Sequence, residues 1–220
     1  MTALASPSVE FRKPISSEQC LALGAIEWED YQAISKALIG RHVRLTYDRG
    51  RLEFMTISAK HGMLSRLLGN LVSILTQEFG IPILSCGDMT CDNESVLRGL
   101  EPDECFYLDS EPLVRGKDDI DLSVDPPPDL AIEIELSKAR RDRMGIYAAL
   151  RIPEVWRYNG LQLTVNQLGS DGNYSATEGS RFFPTIPADE LVRFIEMRTD
   201  VDENSLLQSF REWVRSQITS

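Results

Sequence analysis

Apolar residues recur at three- and four-residue steps through Trp28, Tyr31, Ile34 and Leu38, which predicts a short amphipathic helix over residues 27–38. Two alternating runs follow, residues 42–47 and 51–57, joined by Asp48-Arg49-Gly50, and they predict a hairpin. Ser58 is placed to cap a long helix whose apolar stripe includes Met63, Leu64, Leu67, Leu68, Leu71, Ile74, Leu75 and Phe79. Gly80 and Pro82 then stop it. Beyond Pro82 the period shortens. Residues 83–86 and 104–108 read as strands separated by a polar stretch that suits a further hairpin. In residues 129–136, Leu130, Ile132, Ile134 and Leu136 take one face and Asp129, Ala131, Glu133 and Glu135 the other, so this segment is a strand with one wholly apolar side. A helix over about 138–150, a hairpin of 154–158 and 161–168 turning at Asn159-Gly160, and two helices near 188–197 and 204–217 complete the pattern.

The length of 220 residues, 42% of them apolar, suits one large domain, or a domain with appended helices, and is enough to bury a core without disulfides. Residues 1–18, with Pro7 and Pro14 and no periodicity, read as a flexible leader, 19–170 as the main domain and 171–220 as a helical extension packed on it. The composition excludes collagen-like, mucin-like and disordered classes. No apolar run approaches the roughly 20 residues of a membrane helix, and the first residues lack a signal-peptide pattern, so a cytoplasmic protein is expected. Cys20, Cys86, Cys91 and Cys105 have neither C-x-x-C spacing nor a nearby histidine, and read as buried thiols.

The formal charge of −11 argues against coating nucleic acid by bulk electrostatics. Its distribution changes that picture. Between Asp88 and Glu135 stand 15 acidic residues and three basic ones, a net of −12, whereas the flanking segments are close to neutral. Many of these acids suit solvated loops. Glu133 and Glu135 are different, because i and i+2 on one strand face place two carboxylates about 7 Å apart. Held together they repel unless a cation or proton offsets them, and a hard divalent ion such as Mg²⁺ prefers such oxygen donors. The competing reading is a structural ladder paired with Arg140, Arg141 or Arg143 of the next helix. Asp103, fixed by Pro102 at the start of its strand, would share a face with Cys105 and Tyr107 and add a third carboxylate. One Asp on a strand beside two acids on its neighbour is a metal-dependent hydrolase layout.

Asp103 within Glu101-Pro102-Asp103-Glu104-Cys105-Phe106-Tyr107, the run from Pro127 to Glu135, and the run from Ile146 to Tyr158 together resemble the Uma2 restriction endonuclease family. The hairpin ending in Gly50-Arg51-Leu52-Glu53-Phe54-Met55 and His61 early in the long helix match as well. The resemblance spans roughly residues 27–168. It implies an α/β (mixed α+β) fold with a restriction-endonuclease-like PD-(D/E)xK core, a central mixed sheet flanked by helices, followed here by the C-terminal helices. Asp103 is then the Pro-Asp carboxylate and Glu133 the second metal ligand. Glu135 stands where the standard motif has lysine. The basic role falls to Arg143, four residues before Tyr147, with Lys138 the other candidate. Arginine stays protonated, so it suits charge stabilisation at phosphorus better than proton abstraction from water.

The expected activity is hydrolysis of DNA phosphodiester bonds by an endonuclease dependent on Mg²⁺ or Mn²⁺. Asp103 and Glu133 would bind the ion, Glu135 would position it or the water, and Arg143 or Lys138 would face the phosphate. Glu53 and His61 form a second tier, with a solvent-facing Glu53 and a structural or exposed His61 as the plainer readings. The partners expected are DNA, bound through the metal, and a second copy of the chain docked through the C-terminal helices. The alternative is a catalytically inactive nuclease-like fold acting as an acidic interaction module. Glycoside hydrolysis fits poorly, since Glu133 and Glu135 are strand neighbours rather than groups across a sugar-sized cleft.

Overall fold

A computed structural model describes residues 18–136 and 143–218. In chain order the elements are β1 (Cys20–Leu23), α1 (Trp28–Leu38), β2 (Val43–Asp48), β3 (Arg51–Thr56), α2 (Ala59–Phe79), β4 (Leu84–Gly87), β5 (Cys91–Asn93) and β6 (Arg98–Leu100). They continue with β7 (Glu104–Tyr107), α3 (Glu111–Val114), β8 (Leu130–Ile134), α4 (Met144–Ala149), β9 (Glu154–Tyr158), β10 (Leu163–Leu168), β11 (Tyr174–Thr177), α5 (Ala188–Glu196) and α6 (Glu203–Ile218).

The strands divide between two sheets. A five-stranded antiparallel sheet has the order β1-β3-β2-β6-β5, and a six-stranded mixed sheet has the order β11-β10-β9-β8-β7-β4. In the mixed sheet only β8 and β9 run parallel, with Glu133 opposite Arg157. A parallel pair needs a crossover, and the chain segment carrying α4 supplies it. The polar stretch after Pro82 does form a hairpin, β5 with β6, but it joins the smaller sheet rather than the strands on either side of it.

Helix α2 begins as its sequence dictates, with the Ser58 hydroxyl accepting the His61 N–H at 3.2 Å, and ends at Gly80, whose φ of 68° places it in the left-handed region. Its stripe packs with Leu130, Ile132 and Ile134 of β8, with Trp156 and Tyr158 of β9, and with α5 and α6. Glu78 of α2 accepts from both Arg211 and Arg215 of α6, which ties the C-terminal helix to this layer. On the opposite face of the mixed sheet, Ala131, Cys105 and Val155 meet Ile146 and Tyr147 of α4, and Cys91 and Leu100 of the smaller sheet. The polar side of β8 is therefore enclosed between two sheets and a short helix, which is where a site can be kept dry.

A third cluster, Trp28, Tyr31, Leu45, Tyr47 and Leu52, lies on the far side of the smaller sheet. Tyr31 stacks on Tyr47 with ring centroids 4.6 Å apart, and the fit leaves no room at Gly99 of β6, where an added Cβ would meet the Tyr31 hydroxyl at 2.5 Å and Asp92 Cβ at 2.6 Å. Gly99→Ala is expected to cost about 2 kcal/mol through overpacking. Urea unfolding measures this as a lowered midpoint, and an unchanged midpoint would show that the tyrosine pair yields freely.

Candidate active site

Asp103 is locked to β8 by main chain and side chain together. Its N–H donates to Ile132 O at 3.0 Å, and its Oδ2 accepts the Ile134 N–H at 2.7 Å. From α2, the Ser65 hydroxyl donates to Asp103 O at 3.1 Å. The carboxylate is almost fully buried, at 2% residue exposure, and its Oδ1 lies 2.7 Å from His61 Nε2 and 3.7 Å from Arg44 Nε. His61 is itself buried, with Nδ1 2.7 Å from Glu18 Oε1, so Glu18, His61 and Asp103 form a chain.

Glu133 projects from β8 to the same side of the sheet and is 3% exposed. Its Oε2 accepts from Arg143 Nη1 at 2.8 Å, and its Oε1 accepts from the Tyr147 hydroxyl. The second Arg143 nitrogen, Nη2, donates to Glu101 O at 2.7 Å, immediately before the Pro102-Asp103 step. Arg143 and Tyr147 reach the same carboxylate because residues four apart share a helix face. The structure thus brings together Asp103, Glu133, Arg143 and His61 from segments far apart in the chain.

Glu135 is directed elsewhere. Both of its oxygens accept from Arg157 of β9, each at 2.9 Å, in a bidentate pair. Lys138, with Arg140 and Arg141, lies outside the described residues. Glu53 does not face solvent as the hairpin pattern suggested: it is 9% exposed, and its Oε2 has no hydrogen-bond partner among the described residues. The correction has a simple cause. Glu53 pairs with Thr46 and Met55 with Arg44, so these residues share the face of the smaller sheet that turns towards Asp103 rather than towards water. His61, read as structural or exposed, is buried against the site.

Electrostatics follow from this burial. Burial disfavours the Asp103 carboxylate, but His61, Arg143 and the Ile134 N–H outweigh it and hold its pKa below the ordinary aspartate value. For Glu133 burial wins over Arg143 and, with Asp103 close by, raises its pKa above the ordinary glutamate value. Burial also opposes the charged form of His61, yet Asp103 and then Glu18 outweigh it and raise its pKa. Glu104, next in sequence to Asp103, is pushed up to about 7 by burial but lies on the other face, where a Cβ added to Gly69 of α2 would meet its Cδ at 3.3 Å. Arg44, Tyr147 and Glu18 are the site residues that sequence reasoning missed, Glu18 because it was counted in the leader. The spacing of Tyr147 from Arg143 was visible, whereas nothing in an alternating strand marks the Arg44 side as inward.

As arranged, these groups do not fit a preformed divalent-ion site. All four oxygens of Asp103 and Glu133 face protein nitrogen or hydroxyl groups, and among the described residues no three His, Cys, Asp or Glu side chains are grouped to hold an ion. Asp103 Oδ1 still lacks a well-directed hydrogen bond, as do Arg44 Nε, His61 Nε2 and Arg143 Nε. The inner shell is a balanced set of acids and cations with unsatisfied polar atoms at its centre.

A mixed sheet flanked by helices, with a Pro-Asp carboxylate just ahead of one strand, a glutamate on the neighbouring strand and a cation at the cap of the following helix, is a restriction-endonuclease-like fold. The chain belongs to the Uma2 family, described as "putative restriction endonuclease", whose family model matches residues 28–200. No curated protein matches the chain. No helix among the described residues is long and apolar enough to cross a membrane.

Proposed function

We propose that the chain is an endonuclease that hydrolyses DNA phosphodiester bonds and requires Mg²⁺ or Mn²⁺. The observation that supports this reading is the convergence of Asp103, Glu133 and Arg143, the residues matching the nuclease motif, in one enclosed place between the two sheets. Arg143 and Arg44 supply positive charge for the phosphodiester, and Arg143, always protonated, stabilises charge on phosphorus rather than taking a proton. The ion requirement rests on membership of the family. Glu135 and Lys138 belong to this proposal at lower weight, as residues flanking the cluster.

A second reading has its own support. Glu133 pairs with Arg143, one of the arginines expected of a structural ladder, Glu135 pairs instead with Arg157 of β9, and Glu135 replaces the motif lysine. On that reading the fold is an inactive interaction module. Supercoiled plasmid incubated with the protein separates the two. The nuclease reading expects nicked or linear product with Mg²⁺ or Mn²⁺, none with EDTA, and a loss of about 100-fold or more in Glu133→Ala. Plasmid that stays supercoiled with every ion favours the interaction module.

A further inference from the structure

One of the two side chains bonded to the Glu133 carboxylate is itself a cation, and its placement has consequences for ion binding. The Arg143 side chain is 12% exposed, donates from one terminal nitrogen to Glu133 Oε2 and from the other to Glu101 O, and thereby joins β8 to the 101–103 segment that carries Asp103. A planar guanidinium anchored at two acceptors is held in register, where a lysine would offer a single mobile point charge. Tyr147 takes the remaining Glu133 oxygen. A divalent ion approaching Glu133 would have to share each oxygen with a donor already in place and would meet the arginine charge at close range, in surroundings less screened than water.

We infer that Arg143 is a tethered counter-ion that competes with a divalent cation for Glu133, so that release of this pair sets the ion affinity of the free protein. This rests on the reading that Asp103 and Glu133 are where the ion belongs. It does not require cleavage activity. The structure supplies a comparison two residues further along the chain, because Arg157 neutralises Glu135 by donating from two nitrogens to both of its oxygens. If bulk charge alone governed ion affinity, removing either arginine would act alike. If competition at Glu133 governs it, Arg143 matters far more.

Titration calorimetry with MnCl₂ alone, on the full chain, tests this. Arg143→Gln is expected to bind Mn²⁺ at least about tenfold more tightly than wild type, Arg157→Gln to change affinity by less than about threefold, and Arg143→Gln combined with Glu133→Gln to lose the gain. Circular dichroism checks that each variant is folded. Should Arg143→Gln fail to fold, Arg143→Lys decides: an ammonium cannot span both acceptors, so this variant is expected to bind the ion several-fold more tightly than wild type. Unchanged or weaker Mn²⁺ binding in the folded Arg143 variant, or an equal gain in Arg157→Gln, overturns the inference. Plasmid left uncut while Arg143→Gln gains Mn²⁺ would defeat the nuclease reading alone. Metal-dependent cleavage with no such gain would defeat the counter-ion alone.

Discussion

Asp103→Asn is expected to reduce plasmid cleavage by about 10³-fold or more while leaving the protein folded. The substitution keeps the shape of the side chain and changes its charge and its donors. Asparagine can still accept the Ile134 N–H through its carbonyl oxygen, so the link between β7 and β8 survives. Its amide group then faces His61 Nε2 and Arg44 Nε, which in the native protein approach an acidic oxygen at 2.7 and 3.7 Å. Donors would oppose donors, and Arg44 and Arg143 would lose the buried negative charge between them. A stability loss of about 1–3 kcal/mol is expected from the unpaired groups. Cleavage rates with saturating Mg²⁺, measured beside urea unfolding, separate the two effects. A variant that retains activity within about tenfold of wild type would remove Asp103 from the reacting centre.

The elements most legible in the sequence were those whose period is long or whose contrast is strong. Helix α2 could be bounded to a residue because a cap, a wide stripe and a glycine stop agree. Strand β8 could be assigned two faces, and its apolar face packs on α2 as its pattern requires. What alternation cannot tell is what covers the polar face. Glu53 read as the solvent side of a hairpin, yet it turns inward with Arg44 and Thr46 because a second sheet lies across them. β1 and β11, four residues each, are too short for a periodic signal and exist by pairing with β3 and β10. The contact of Arg143 and Tyr147 with Glu133 depends on the crossover between parallel strands, which no local spacing specifies. The acidic block also resolves into separate tasks. Asp103 and Glu133 enter the site, Asp129 accepts the N–H groups of Leu108 and Ser110, and Glu111 and Asp125 pair with Arg115 and Lys117. A single figure for its charge therefore says little about any one carboxylate.

The largest stability effect is expected at a carboxylate outside the site. Glu154 opens β9, is fully buried, and accepts four hydrogen bonds: from Trp156 Nε1 at 2.7 Å, Ser180 Oγ at 2.6 Å, Arg181 N at 2.8 Å and Gln167 Nε2 at 3.2 Å. These donors come from three parts of the chain, so the carboxylate fastens residues 179–182 to the mixed sheet. Ser180 continues the link by accepting the Phe182 N–H at 3.1 Å, and Phe183 beyond it is buried edge-on against Trp156 and Phe79. Glu154→Ala would leave an indole N–H, a hydroxyl and a main-chain N–H without acceptors in a water-excluded place, besides a cavity. Each stranded donor costs about 1–3 kcal/mol, so a total of about 4 kcal/mol is expected, a large share of the 5–15 kcal/mol that holds a typical domain. Glu154→Gln should cost about half as much, because one acceptor oxygen remains while the new amide group faces donors. Urea unfolding followed by tryptophan fluorescence would report both. A loss below about 1 kcal/mol in Glu154→Ala would mean that water replaces the carboxylate and that the segment 179–182 is held by its aromatic packing instead.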